Sequence, residues 1–403
     1  MDREVDLAIV GAGPAGASTA LHLAQLSPSL ARRTVILERT SHPRPKLCGG
    51  GLVNDVDVIL SNLGLDLREL PYADATWAHL HYRGQGLRMQ LGKIAFHVIR
   101  RPELDAWLVA RARDCGVELL ENTRVREVTP SADGVVLETS AGRIRARAVV
   151  GADGSKGIVR RSIAGATNGS VARLVELITP PHDPTDVAGD EALFEFRHVL
   201  AGIQGYFWSF PMEQDGAPMR NWGVYDSRLN GTPQTGSLMS FLREELARHG
   251  LDINDYRVQG HPIRLFSPSA RLSGPGVILA GDAAGADPLL GEGISLALGY
   301  GDLAAQAVAR AFDRDDFSFA DYTAHVHRSS MGRSLRRRYF AAKMIYGLRG
   351  GLVQRTVWWR MQPLLRRFIR RYVFSWAQAK ERPKRVLPPP SLTASSSGVS
   401  SLA

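Results

Sequence analysis

Residues 5–38 constrain the fold more than any other stretch of the chain. An apolar run, Leu7-Ala-Ile-Val10, leads into Gly11-x-Gly13-x-x-Gly16, then an alanine- and leucine-rich helical segment, then Val35-Ile-Leu-Glu38. Strand, glycine turn, helix and second strand make a βαβ unit of the kind that holds a dinucleotide. Gly11 serves the tight turn, Gly13 lets backbone approach a pyrophosphate, and Gly16 lets the helix lie close on the strand. The helix N-terminus offers free N–H groups and the positive end of a dipole to the phosphates. Glu38 stands where a carboxylate takes both hydroxyls of a ribose. It would repel a 2′-phosphate, so an unphosphorylated adenosine ribose is expected. A lone glycine turn carries little information, but here strand, helix and acid all fall in place.

At 403 residues the chain is long enough for two or three domains with substantial cores. Its two cysteines, Cys48 and Cys115, are too few for a disulfide framework and show no metal spacing. A reducing cytosol is therefore expected, and no metal. The first residues are acidic and run straight into a strand, so no signal peptide is expected. No run of eighteen apolar residues occurs, so no spanning helix is expected. The net charge of +10 is unevenly spread. Residues 331–376 hold twelve Arg or Lys and no acid, residues 377–403 add +3, and residues 1–330 are left at −5. The body is mildly acidic and the C-terminal end strongly basic.

After Glu38 comes an irregular loop, residues 40–51, with two prolines and three glycines. Residues 76–100 alternate as antiparallel strands outside the nucleotide sheet. His79 and His81 share a face there, but no third ligand stands nearby, so both read as ordinary strand residues. Arg101-Pro102 opens a helix over 103–115. A strand at 117–120 and a hairpin over 125–139 and 143–149 follow, ending in Asp153-Gly154. Strands at 171–178, 191–197, 205–210 and 221–225 and a helix over 237–248 form a separate sheet. An apolar strand then ends at Gly281-Asp282 and leads through Pro288, Gly291 and Gly293 into a helix from Ile294 to about residue 312. This second glycine-rich helix start repeats the anion-binding logic of the first.

Three motifs together, Gly11-x-Gly13-x-x-Gly16, Asp153-Gly154 and Gly281-Asp282, resemble in order and spacing the flavoproteins typified by para-hydroxybenzoate hydroxylase, over residues 5–313. The resemblance implies FAD as cofactor. Gly11, Gly13, Pro14, Ala15 and Gly16 would hold its pyrophosphate, Glu38 would bind its adenosine ribose, and Arg39 is a further implied FAD contact. Gly281-Asp282 would meet the pyrophosphate and ribityl chain. Val125, Arg101, Cys48, Gly49, Pro288, Gly291, Gly293 and Ile294 complete the implied FAD contacts. Asp153-Gly154 would serve FAD and the reductant, NADH or NADPH, for which no second GxGxxG is present.

Two further motifs narrow the branch. Lys46-Leu-Cys48-Gly49-Gly50-Gly51 resembles the KxCGG loop of geranylgeranyl reductases. Tyr206-Phe-Trp208-Ser-Phe210-Pro211 resembles their YxWxFP strand, which implies that Tyr206, Trp208, Phe210 and Pro211 line an isoprenoid channel. Alternation puts 206, 208 and 210 on one face. That branch expects GxG about eight residues after the proline, whereas Gly223-Val-Tyr225 comes later and lacks the second glycine. Cys48 and Lys46 are the catalytic candidates, with Lys46 and Arg44 expected to lower the Cys48 pKa; the alternative for Cys48 is a small packing residue.

The fold expected is α/β: a three-layer Rossmann-like FAD-binding domain (1–75, 101–165, 271–330), an interleaved mixed β-sheet substrate domain (76–100, 166–270), a basic helical C-terminal segment (331–385) and a disordered tail (386–403). The function expected is an NADH- or NADPH-driven FAD oxidoreductase acting on a hydrophobic, prenylated or polycyclic small molecule. Because the downstream glycines depart from the pattern, the reading leans to monooxygenation, as hydroxylation or epoxidation. Reduction of isoprenoid double bonds is the alternative, and halogenation a third, since the aromatic strand matches a WxWxIP pattern in part. A flavin-free lipid binder is the reading from another class. In 335–371 apolar and basic residues recur at helical spacing, which fits an anionic membrane surface, a nucleic acid or a solvated cap. The first is favoured and no nucleic-acid motif is present, so a cytoplasmic protein peripheral on the inner face of the membrane is expected.

Overall fold

The computed structural model describes residues 2–90, 92–165, 169–181, 189–231, 236–348, 350–373 and 375–378; the tail expected at 386–403 lies outside them. The first strand, Arg3–Val10, is the centre of one sheet. It pairs in parallel with Gly142–Gly151 on one side and Thr34–Leu37 on the other. Val277–Leu279 and Glu118–Leu120 extend the parallel array outward. Leu7, Ala8, Ile9 and Val10 are all buried, so both faces of the strand are covered. That is why the run is continuously apolar rather than alternating. The hairpin Val125–Ser131 and Gly134–Thr139 adds antiparallel strands to Gly142–Gly151. Helix Pro14–Leu26 packs against both Arg101–Asp114 and the long helix Ile294–Arg314. The Ser18 hydroxyl donates to the Leu298 carbonyl at 2.8 Å across that contact.

A second, seven-stranded sheet runs in the order Gln259–Arg264, Val171–Thr179, Ala217–Asp226, Gly205–Gln214, Ala192–Glu195, Ala78–Tyr82, Gln85–Met89. It is mixed, because Ala192–Glu195 and Ala78–Tyr82 pair in parallel. One face carries Leu177, Phe207, Trp222 and Val224 against helix Leu238–Arg248. The other carries Leu174, Tyr206, Trp208, Phe210 and Tyr225.

Three strand expectations change. The strand expected over 191–197 stops at Glu195, because the Glu195 carboxylate accepts the Arg197 N–H at 2.9 Å and starts the turn Arg197–Ala201. The strands expected over 205–210 and 221–225 are the bases of one long hairpin, Gly205–Gln214 with Ala217–Asp226, closed at Asp215-Gly216. Both turn residues have positive φ, 54° and 78°, as a two-residue hairpin turn requires. Within 76–100, Phe96–Val98 leaves the large sheet and joins Gly51–Leu52 and Ala73–Ala75 in a small three-stranded sheet. It buttresses the glycine loop, with the Ile99 N–H donating to the Gly50 carbonyl at 3.0 Å.

The basic region is helical, from Ser330–Gly347 through Gly351–Arg355 and Gln362–Phe368, with π-helical turns at Thr356–Arg360 and Ile369–Val373. It covers the edge strand Gln85–Met89: Arg366 and Arg370 donate to the Arg88 and Gln90 carbonyls, each at 3.1 Å. Trp358 stacks on Phe196 with ring centroids 4.1 Å apart.

Candidate functional site

A cavity of about 710 Å³ lies between the two sheets, where the parallel strands end. The three glycine motifs converge on it. A Cβ on Gly11 would collide with the Ala152 carbonyl, and one on Gly16 with the Gly11 carbonyl. These two glycines are demanded by close backbone approach. Gly13 differs: a Cβ there would meet no backbone, only the ends of two side chains, 3.6 Å from Arg44 Nη2 and 4.0 Å from Arg101 Nη2. Gly281, at φ 61°, would put a Cβ 2.6 Å from the Ala15 methyl, so it fits the second motif against the first.

The expected residues divide by position. Gly11, Gly13, Pro14, Ala15, Glu38, Arg39, Lys46, Cys48, Gly49, Arg101, Val125, Asp153, Gly154, Asp282, Gly291, Gly293 and Ile294 line the cavity, as do Tyr206, Trp208 and Phe210. Gly16, Gly281, Pro288 and Pro211 do not. Pro211 is a correction to the substrate wall: strand alternation turns it to the face of Phe207 and Ser209, opposite Tyr206, Trp208 and Phe210.

Glu38 is fixed at its strand end by the Ala12 N–H at 3.0 Å and the Thr40 hydroxyl at 3.0 Å. Arg101 is buried and paired with Asp105 at 2.7 and 2.9 Å. Arg44 reaches 3.4 Å from Asp105 and 3.6 Å from Glu38, and its Nε is buried without a hydrogen-bond partner. Two guanidiniums thus flank the Gly13 backbone at the start of helix Pro14–Leu26. This donor set, with one orphaned N–H, fits a diphosphate. No motif in the sequence marks Arg44 for this place, because its partner Asp105 lies 61 residues away in a helix whose placement only the fold shows.

Asp153 is largely committed to its own loop. Its Oδ2 accepts the Ile158 and Val159 N–H groups at 2.6 and 3.0 Å. Burial raises its pKa, and those two N–H groups oppose the shift. Asp282 lies at the cavity wall with Ser155 Oγ at 3.3 Å.

The loop from Asp287 to Gly293 is held by groups from distant elements. Tyr206 O–H donates to the Leu290 carbonyl, and Tyr225 O–H to those of Asp287 and Pro288 at 3.3 Å. Fully buried Arg338, from helix Ser330–Gly347, pairs with Asp287 at 3.1 Å and Glu292 at 3.2 Å. Glu292 in turn accepts the Ser295 N–H at 2.9 Å, so the helix Ile294–Arg314 starts at the cavity under its control.

The Lys46–Gly51 loop lies on the aromatic strand; a Cβ on Gly49 would sit 3.3 Å from the Phe210 ring. The expected lowering of the Cys48 pKa is corrected. Burial pushes this thiol up, and the chief opposing charge is Arg101 rather than Lys46 or Arg44. Lys46 is itself pushed down by burial, with Asp282 opposing, and its Nζ lies 2.8 Å from His261 Nε2. Burial holds His261 down at about 4, so the ring is neutral and accepts from Lys46.

Behind the loop, buried Glu176 accepts the Cys48 N–H at 3.1 Å. Burial pushes its carboxyl up to about 7, against the pull of that N–H. A raised pKa means the folded state keeps this proton more readily than the unfolded chain. The associated stability is complete below about 4.5 and lost as pH rises to about 7. Glu176→Gln is therefore expected to flatten the fall in stability between those limits, by up to about 3 kcal/mol. Denaturant titrations of both proteins across that range test this; parallel curves would contradict it.

His79 Nε2 meets Glu191 at 2.8 Å and its Nδ1 meets His81 at 3.4 Å.

Residues 4–299 match the family model described as FAD binding domain. The chain belongs to this FAD-binding family. It is 29% identical over 334 residues to digeranylgeranylglycerophospholipid reductase 2 of Methanopyrus kandleri, covering 78% of this chain and 79% of that protein. The crystal structure of a geranylgeranyl bacteriochlorophyll reductase-like protein from Thermoplasma acidophilum superposes with a TM-score of 0.73 at 20% identity, covering 97% of this chain and 94% of that one. The p-nitrophenol 4-monooxygenase PnpA from Pseudomonas putida superposes with a TM-score of 0.66 at 19% identity, over 91% and 94%. The FAD-binding chain is therefore an FAD-dependent oxidoreductase with a fold shared by reductases and monooxygenases.

Proposed function

We propose that this FAD protein reduces carbon–carbon double bonds of an isoprenoid chain. The observation that carries the reading is the Lys46–Gly51 loop laid on the face of Tyr206, Trp208 and Phe210, with a protonated, half-buried Cys48 thiol at the junction. The downstream glycine lies against the aromatic strand within the hairpin of Gly205–Gln214 with Ala217–Asp226. Gly223 pairs directly with Trp208, and a Cβ there would collide with the indole. The digeranylgeranylglycerophospholipid reductase likeness supports the same reading.

FAD, when bound, supplies hydride transfer between a reduced nicotinamide nucleotide and the alkene. Arg44, Arg101 and the Gly11–Ala15 backbone would hold its diphosphate, and Glu38 its ribose. Tyr206, Trp208 and Phe210 orient an apolar chain and exclude water. Saturating one double bond takes a hydride and a proton. The Cys48 thiol, held protonated, would supply that proton, with solvent restoring it.

Under anaerobic conditions, a geranylgeranyl substrate with NADH or NADPH is expected to gain two hydrogens per double bond. Cys48→Ser should lower turnover about 100-fold with FAD content retained. Oxygen insertion is the second reading, favoured by Tyr225, which fills the position of the second glycine beside Gly291. Substrate-coupled oxygen uptake, with one oxygen in the product and no anaerobic reduction, would establish it instead.

A further inference from the structure

The outer surface of the C-terminal helices is unlike the rest of the molecule. Phe340, Met344, Leu348, Leu352, Met361 and Leu364 all project into solvent, with Leu352 79% exposed and Leu364 61%. Among the described residues, most of the exposed large apolar side chains fall in this one segment. Phe340 and Met344 stand four residues apart on Ser330–Gly347 and share a face, with Leu348 exposed just past its C-terminal end. Arg336 and Lys343, both exposed, flank that face, and exposed Arg355, Arg360 and Arg367 continue the charge along the following turns. No Asp or Glu occurs between 331 and 376.

The inner side of the same segment packs on the apolar cluster that contains the aromatic cavity wall. Ala342, Ile345, Tyr346, Trp358 and Ile369 join the apolar cluster of the aromatic strand, and Ile369 lines the cavity itself. The segment therefore has bare apolar and cationic groups outside and, inside, the apolar cluster shared with Tyr206, Trp208 and Phe210. No helix among the described residues is long and apolar enough to cross a membrane.

We propose that this face docks on the surface of an anionic lipid bilayer and that its helices are the wall through which an apolar substrate passes from bilayer to cavity. Apolar side chains enter the headgroup boundary while the flanking cations reach the phosphates. An acid-free segment complements an anionic leaflet and gains from each cation close to it. The docking stands on the surface alone; the passage rests on the apolar substrate proposed above.

The full-length flavoprotein is tested by co-sedimentation with vesicles of phosphatidylcholine alone and of phosphatidylcholine with phosphatidylglycerol. Binding is expected to the anionic vesicles only, weakened by salt. Leu352→Glu with Leu364→Glu should lower the bound fraction at least ~10-fold, and Arg360→Glu with Arg367→Glu should weaken it further. Flavin absorbance and turnover of a detergent-dispersed substrate should stay unchanged, while KM for a vesicle-embedded substrate rises. That split separates failure of docking from failure of the reaction. Equal binding to both vesicle types, or binding indifferent to the leucine changes, overturns the proposal. So does a dimer that the leucine changes dissolve, which would mean a second copy covers the face, or retention by nucleic acid without retention by vesicles.

Discussion

Gly13→Leu is expected to give a folded protein that has lost its FAD. The position is unusual among the glycines of the first motif, because the new side chain meets no backbone. It would enter the cavity beside Arg44 and Arg101, where the nearest protein atom is 3.6 Å from the Cβ. Leucine there denies a diphosphate its approach to the helix N-terminus. Losing two charge-assisted hydrogen bonds at about 1.5–3 kcal/mol each predicts FAD binding weaker by about 3–6 kcal/mol. Gly16→Ala is the contrast: its methyl would collide with the Gly11 carbonyl, so it should damage the fold itself. Flavin absorbance together with circular dichroism separates the two. Wild-type flavin content in Gly13→Leu would show that the diphosphate lies elsewhere.

Arg338→Ala is expected to cost about 3–5 kcal/mol, because it strips two buried carboxylates of their counter-charge. Asp287 and Glu292 both face Arg338, and burial already raises the Glu292 pKa against the pull of that guanidinium. The loss should be read in denaturant unfolding and in faster FAD release, since the disturbed loop opens the helix that starts at the cavity. Adding Asp287→Asn and Glu292→Gln to Arg338→Met should recover part of it, as neutral groups no longer need the charge. A cost below about 1 kcal/mol for Arg338→Ala would mean that solvent reaches these carboxylates.

The parallel sheet was legible because its strands are buried on both faces and its turns need glycine, so the chemistry of each strand is written locally. The long hairpin was legible only at its base. Beyond Phe210 the strand continues through Pro211 into Glu213 and Gln214, which carry no apolar signal, and its pairing with Ala217–Asp226 is what makes it a strand. The pKa of Cys48 is hidden from the sequence for a related reason. Lys46 is two residues away in sequence, but its amine turns to His261, while Arg101, from another helix, approaches the sulfur. Arg338 shows the limit most plainly. In the run Arg336-Arg337-Arg338 helical spacing from Leu335 and Ala342 puts the third arginine on the apolar face, but nothing nearby in sequence supplies its counter-charge; it is buried and its two neighbours are exposed. Which cation turns inward is set by Asp287 and Glu292, some fifty residues upstream.

The order of strands in the first sheet has a consequence for how the chain is made. Arg3–Val10, Gly142–Gly151 and Val277–Leu279 lie side by side, although they leave the ribosome at widely separated times. The opening βαβ unit must wait, with one flank unpartnered, until a strand about 140 residues later arrives to cover it. Only when residue 279 has emerged does the sheet gain its last parallel member, and Gly281 and helix Ile294–Arg314 follow later still. Translation therefore completes the nucleotide cradle long after starting it, and the interval is one in which the nascent chain exposes open strand edges.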